Sequence, residues 1–136
     1  MGHDVKKERP VFRNIHVTQL MAYRLPWAGK VSILHRISGL LLFLMLPVVL
    51  YIFELSLTSE LSYSHFTDLL AGTIAKVMVS VLVWAYLHHF CAGLRYLLLD
   101  VHIGVARLTA QQSAIAVLFT SLVLTALFVA RLFNFF

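Results

Sequence analysis

Three long apolar runs, each bounded by charged residues, organise the chain. The first extends from Ile37 to Phe53 between Arg36 and Glu54. The second extends from Val77 to Leu94 between Lys76 and Arg95, and the third from Leu108 to Ala130 between Arg107 and Arg131. Each is near the length that crosses a hydrocarbon core of about 30 Å at about 1.5 Å per helical residue, and the flanking charges of the first two can reach outward. Lipid offers a peptide backbone no hydrogen bonds, so an open chain crosses it only as helix. The pattern predicts three transmembrane helices, over about 30–57, 67–99 and 109–134. The expected fold class is an all-α, integral-membrane three-helix bundle. Pro47 is expected to bend the first helix. Thr58 to His65 reads as a polar loop, and Asp100 to Gln112 as a connection broken at Gly104. Residues 1–29 form a polar, basic segment punctuated by Pro10 and Pro26, and 30–136 the transmembrane anchor domain. The first apolar run starts too late and runs too long for a secretory signal, so the N-terminal segment is expected to be retained.

Composition narrows the class further. Of 136 residues, 60% are hydrophobic and 12% charged, against about 25% charged in an ordinary soluble domain. The mean hydropathy is +0.86. Disorder, a disulfide scaffold and a water-soluble monomer are excluded, because a small domain leaves too much of its surface exposed to hide that much apolar area. The formal net charge of +5 does not indicate nucleic acid, since the Lys and Arg residues gather at the ends of apolar runs, where they set orientation. The N-terminal segment through Arg36 falls on one side with Arg95 and Arg107; Lys76 and Arg131 fall on the other with Glu54, Glu60 and Asp68. This imbalance puts the N-terminus in the cytoplasm, or on the equivalent matrix side, and the C-terminus outside. Cys91 is the single cysteine, so no intrachain disulfide forms. A three-span bundle this small is expected to work with a partner in the membrane.

Polar groups at membrane depth are costly and are therefore functional candidates. One cluster opens the first helix. Ser32 and Arg36 are four residues apart, and His35 shares a face with Ser32 at three. A hydroxyl, an imidazole and a guanidinium at the interface can hydrogen-bond a carbonyl or carboxylate arriving from the lipid. The plainer alternative makes Arg36 a topogenic anchor and His35 a headgroup partner. The second cluster is His88-His89 in the second helix, with His89 about 9 Å deeper than Arg95 at 1.5 Å per residue. Imidazole is a standard axial ligand of haem iron. Ala85, Ala92 and Gly93 around His89 suggest a flat face open to a macrocycle, whereas Trp84 crowds His88. The alternative is that both histidines make interhelical hydrogen bonds, worth about 0.6 kcal/mol each on average in membranes. Because the first two helices run in opposite directions, Ser32 to Arg36 and His89 to Arg95 are expected at one level. His35 sits near the interface, so a second axial ligand from another subunit is the simpler expectation.

The run Ser32-Ile33-Leu34-His35-Arg36-Ile37-Ser38-Gly39, with Arg9-Pro10 upstream, resembles the opening signature of the cytochrome b556 subunits of succinate dehydrogenase. The set His89, Gly93, Arg95, Tyr96 and Asp100 resembles the same family's haem-helix signature, with Tyr96 where the family often has histidine. The resemblance covers nearly the whole chain. It implies a membrane anchor of respiratory complex II in a bacterial inner membrane or its mitochondrial equivalent. Such an anchor pairs with a second small three-helix anchor that supplies the other haem ligand, and both carry an iron-sulfur subunit and a flavoprotein subunit. Electrons from succinate then reach ubiquinone, with haem b between the anchors. By motif position the resemblance assigns His89 as axial ligand of the haem iron, His35 and Arg36 to the haem propionates, and Ser32 and Arg36 to the quinone. It gives the chain no independent catalysis. A basic rim of Lys30, Arg95 and Arg107 is expected to help dock the soluble subunits. Competing readings are a quinol:fumarate reductase anchor, a haem-free structural anchor, and a transporter or channel subunit using its histidines as a proton relay.

Overall fold

A computed structural model describes His16, Thr18 and residues 24–134. The expected polar segment 1–29 therefore lies mostly outside the described residues. From Trp27 onward the chain is helical almost throughout: α1 (Trp27–Thr58), α2 (Glu60–Ala71), α3 (Thr73–Asp100) and α4 (Arg107–Leu132). The fold class is all-α, and α1, α3 and α4 are each long and apolar enough to cross a membrane.

Two stretches differ from the sequence reading. The polar run after Thr58 is the start of a helix rather than a loop. The Ser59 hydroxyl accepts the Ser62 N–H at 3.1 Å, and Glu60 lies in the first turn, where a serine cap and a negative charge both satisfy the exposed N–H groups of a helix end. The helix expected from residue 67 is divided at Gly72, which ends α2 and precedes α3 in an extended conformation. Pro47 lies inside α1 without ending it. At the other end of that helix, Pro26 precedes the first turn, and the Trp27 N–H donates to Gln111 Oε1 of α4 at 3.2 Å. This pairs one of the donors that a helix start leaves open.

The connection after α3 closes as a Schellman turn. The Ile103 N–H donates to Leu98 O and the His102 N–H to Leu99 O, both at 2.9 Å. His102 holds the left-handed position at φ 63°, followed by Gly104 at φ 77°. Gly104 thus breaks the chain as expected, while the left-handed backbone at His102 carries no sequence signal of the usual glycine kind.

Successive long helices run antiparallel, so α1 and α4 point the same way. Arg95 bonds to Ala110 and Ser113, His88 pairs with Ser121, and the Lys76 ammonium lies 5.6 Å from the Phe133 ring centre, so rising numbers on α4 meet falling numbers on α3. The buried core is small. Val31, Ala92, Ala114 and Val117 meet at the end where α1 begins, α3 ends and α4 begins. Large apolar side chains such as Phe43, Leu57 and Phe119 point outward. In lipid this is the favourable arrangement, because tails solvate them and small residues let the helix backbones approach.

Arg95 is the main correction to the charge map. Its side chain is 6% exposed. Its Nε donates to Ser113 Oγ and its Nη2 to Ala110 O, each at 3.0 Å, and its guanidinium lies 5.5 Å from the Tyr96 ring centre. Arg95 is a clamp between α3 and α4 and does not belong to a docking rim, because its side chain is buried with its Nε and Nη2 donors committed inside the bundle. Arg95→Ala should destabilise the subunit by about 1–3 kcal/mol, from two charge-assisted bonds weakened by membrane alternatives. Arg95→Lys should recover little, since one ammonium cannot reproduce the planar two-bond geometry. Thermal release of the subunit from the detergent-purified complex measures both.

Candidate functional site

The site forms where α1 and α3 cross near the small core. His35 and His89 stack face to face, with ring centres 4.1 Å apart and planes 13° apart. The two polar clusters of the sequence therefore do meet at one level. Tyr96 packs at the side of His35, 5.1 Å between ring centres.

The backbone of α1 holds the His89 ring by its inner nitrogen. Nδ1 lies 3.1 Å from His35 O and 3.4 Å from Ser38 Oγ. A carbonyl only accepts, so Nδ1 carries the proton and donates, which leaves Nε2 as the lone-pair nitrogen. The Ser38 hydroxyl donates to the same His35 carbonyl at 2.9 Å. Ser38 is fully buried. Among the described residues Nε2 of His89 makes no hydrogen bond, and it is not among the enclosed, unpaired atoms. Metal-bound histidine takes this form: one nitrogen fixed by a backbone oxygen, the other a lone pair facing out.

His88 is built for the opposite purpose. Its ring is 0% exposed. It stacks on Trp84 at 5.5 Å and donates from Nδ1 to Ser121 Oγ at 3.3 Å, while Ser121 donates onward to Leu118 O. Nε2 of His88 is enclosed, with no hydrogen bond among the described residues, so no macrocycle reaches it. Steric crowding at Trp84 was the reason from sequence to prefer His89; burial against α4 is the larger one. The accompanying expectation of an open small-residue face at His89 fails. Ala85 and Ala92 are fully buried, and Ala92 is part of the three-helix core with Val31 and Ala114.

His35 presents its face, not a nitrogen, to His89. Two axial ligands must aim nitrogens at one another across a planar macrocycle, so His35 as placed is not a second ligand to an iron on His89. Its Nε2 is enclosed and unpaired among the described residues, an arrangement that costs about 1–3 kcal/mol. Ser32 is half-buried and Arg36 exposed. Neither side chain has a partner among the described residues, so hydroxyl and guanidinium are uncommitted. Lys30 lies over the Trp27 ring at 4.2 Å, and Arg107 is exposed.

Ser38 and Gly39 are the residues to which the sequence reading assigned no role. A Cβ on Gly39 would stand 2.7 Å from His89 Cε1 and 3.1 Å from Nδ1. Their positions three and four residues after His35 put them on its helix face, which was the available signal.

The fold and this site define an integral-membrane helical subunit with a histidine held at an interhelical crossing by its Nδ1. The chain belongs to the succinate dehydrogenase/fumarate reductase transmembrane subunit family, whose model matches residues 6–128. Among its relatives, the succinate dehydrogenase cytochrome b556 subunit of Coxiella burnetii is 37% identical over 95 residues, covering 68% of this chain and 71% of that one. The subunit of the same name from Paracoccus denitrificans is 29% identical over 108 residues, covering 79% and 83%. That of Rickettsia felis is 30% identical over 108 residues, covering 79% and 84%.

Proposed function

We propose that this chain is a haem b-containing membrane anchor of a succinate:quinone oxidoreductase. The observation that carries the reading is the His89 imidazole, donating from Nδ1 to the His35 carbonyl with its other nitrogen unbonded. His89 would hold the haem iron, and the second ligand would come from a second small anchor subunit. When bound, the haem supplies a one-electron relay beside the path to the quinone. Arg36, exposed at the helix start, and His35, by the ring edge away from its enclosed Nε2, would receive the propionates. Ser32 would donate a hydrogen bond to a ubiquinone carbonyl, and Arg36 would stabilise the negative charge that develops there on reduction. The N-terminus faces the cytoplasm of a bacterial inner membrane, or the matrix in the mitochondrial equivalent. Lys30 and Arg107 remain in the basic rim toward the iron-sulfur and flavoprotein subunits, and Arg95 does not. The three relatives all bear the name succinate dehydrogenase, which favours succinate oxidation over fumarate reduction as the physiological direction.

The test is the composition and colour of the complex purified through this subunit. A flavoprotein, an iron-sulfur protein and a second small hydrophobic subunit should co-purify, and a pyridine haemochromogen assay should give b-type haem. A complex with those subunits and no haem would reduce the chain to a structural anchor. Proton flux in liposomes without any redox partner would favour the transporter reading instead.

A further inference from the structure

The His89 ring is seated on α1 by two neighbouring residues, Ser38 and Gly39. Gly39 forms the floor: a Cβ there would come within 2.7 Å of the ring, closer than real side-chain contacts, so only a bare Cα lets the imidazole lie against the helix. Ser38 forms the wall. Its hydroxyl donates to His35 O at 2.9 Å and lies 3.4 Å from Nδ1, so its oxygen and that carbonyl share the Nδ1–H. Stacking on His35 closes the remaining side. The ring is thus defined in plane, tilt and depth by α1, although its own backbone belongs to α3. We propose that Ser38 and Gly39 are positioning residues for haem ligation: they aim His89 Nε2 out of the bundle and set the electron density that the ring can offer a metal. This rests on the reading of His89 as the axial ligand.

The physical consequence is specific. A hydrogen bond to the distal nitrogen of a ligating histidine fixes its orientation and raises its basicity, and loss of such a partner typically weakens metal retention about 10–100-fold. Removing the Ser38 hydroxyl leaves the carbonyl as the only acceptor and frees the ring to pivot. Thr in its place keeps a hydroxyl that can bond the carbonyl three residues earlier, as Ser38 does. A methyl group at Gly39 displaces the ring itself.

The experiment uses the intact purified complex carrying Ser38→Ala, Ser38→Thr, Gly39→Ala or His89→Ala. Measurements are haem per complex, the low-spin ferric EPR g values, the haem midpoint potential, and the rate of haem transfer to excess apomyoglobin. Ser38→Ala should keep haem but shift both the g values and the potential and speed haem transfer by about tenfold. Ser38→Thr should restore the wild-type signature. Gly39→Ala should lose most of the haem or render it high-spin. Wild-type g values and potential in Ser38→Ala overturn the proposal, including when Gly39→Ala fails to assemble. Equal shifts in the Ala and Thr variants also overturn the role of the hydroxyl. A colourless wild-type complex, or full haem in His89→Ala, defeats the ligand assignment itself. Haem lost only in His89→Ala defeats the seat alone.

Discussion

His89→Ala should abolish the Soret and α-band absorbance of reduced low-spin haem in the purified complex, a loss of at least about tenfold in haem content. The expectation follows from the ring's two ends. One end is anchored on the His35 carbonyl at 3.1 Å, and the other makes no hydrogen bond among the described residues, which leaves its lone pair available to the iron proposed for it. Alanine removes the donor atom while the helix backbone and the small core stay as they are. The matched control is His88→Ala. That ring is buried between Trp84 and Ser121, and its removal opens a cavity. The expected result is a less stable subunit, by about 2–4 kcal/mol by analogy with other large-to-small core changes, that still carries haem. Interchanged phenotypes would mean that the deeper nitrogen, not the open one, meets the iron.

The second large effect is expected at Arg36. Arg36→Ala should lower succinate:quinone turnover by on the order of 10²-fold, the usual loss when one preorganised donor to a developing negative charge is removed. Succinate oxidation by a soluble artificial acceptor should remain near wild type, because that electron path ends before the membrane. Ser32→Ala should show the same split with a smaller loss, about tenfold, as a single neutral hydrogen bond allows. Neither side chain makes a hydrogen bond among the described residues, so neither change should disturb packing. A parallel fall in the two activities would assign Arg36 to assembly. Arg95 provides the contrast, since its substitution should weaken the subunit without a selective quinone defect.

The sequence alone determined the class of this protein. Charge-free runs of membrane length admit only helix, and the spacing of Ser32, His35 and Arg36 against His89 put two polar clusters at one depth. Its local chemistry was less legible where a short-range signal had two meanings. Ser59-Glu60 suits a polar loop and a helix cap equally, and only the continuation of the helix through Ala71 decides between them. An arginine at a helix end is usually an anchor, and nothing in one dimension reveals that Ser113 and Ala110 wait 3.0 Å away on α4. The tertiary structure decided that His89 lies half-buried against α1 and His88 fully buried against α4, because consecutive residues on a helix diverge by about 100° and the direction of the bundle interior depends on all three helices. It also decided that Ser38 and Gly39 hold the ring of His89, which lies 51 positions beyond Ser38. That relation exists only once α1 and α3 touch, since contact at the crossing is a property of packing and not of either helix alone.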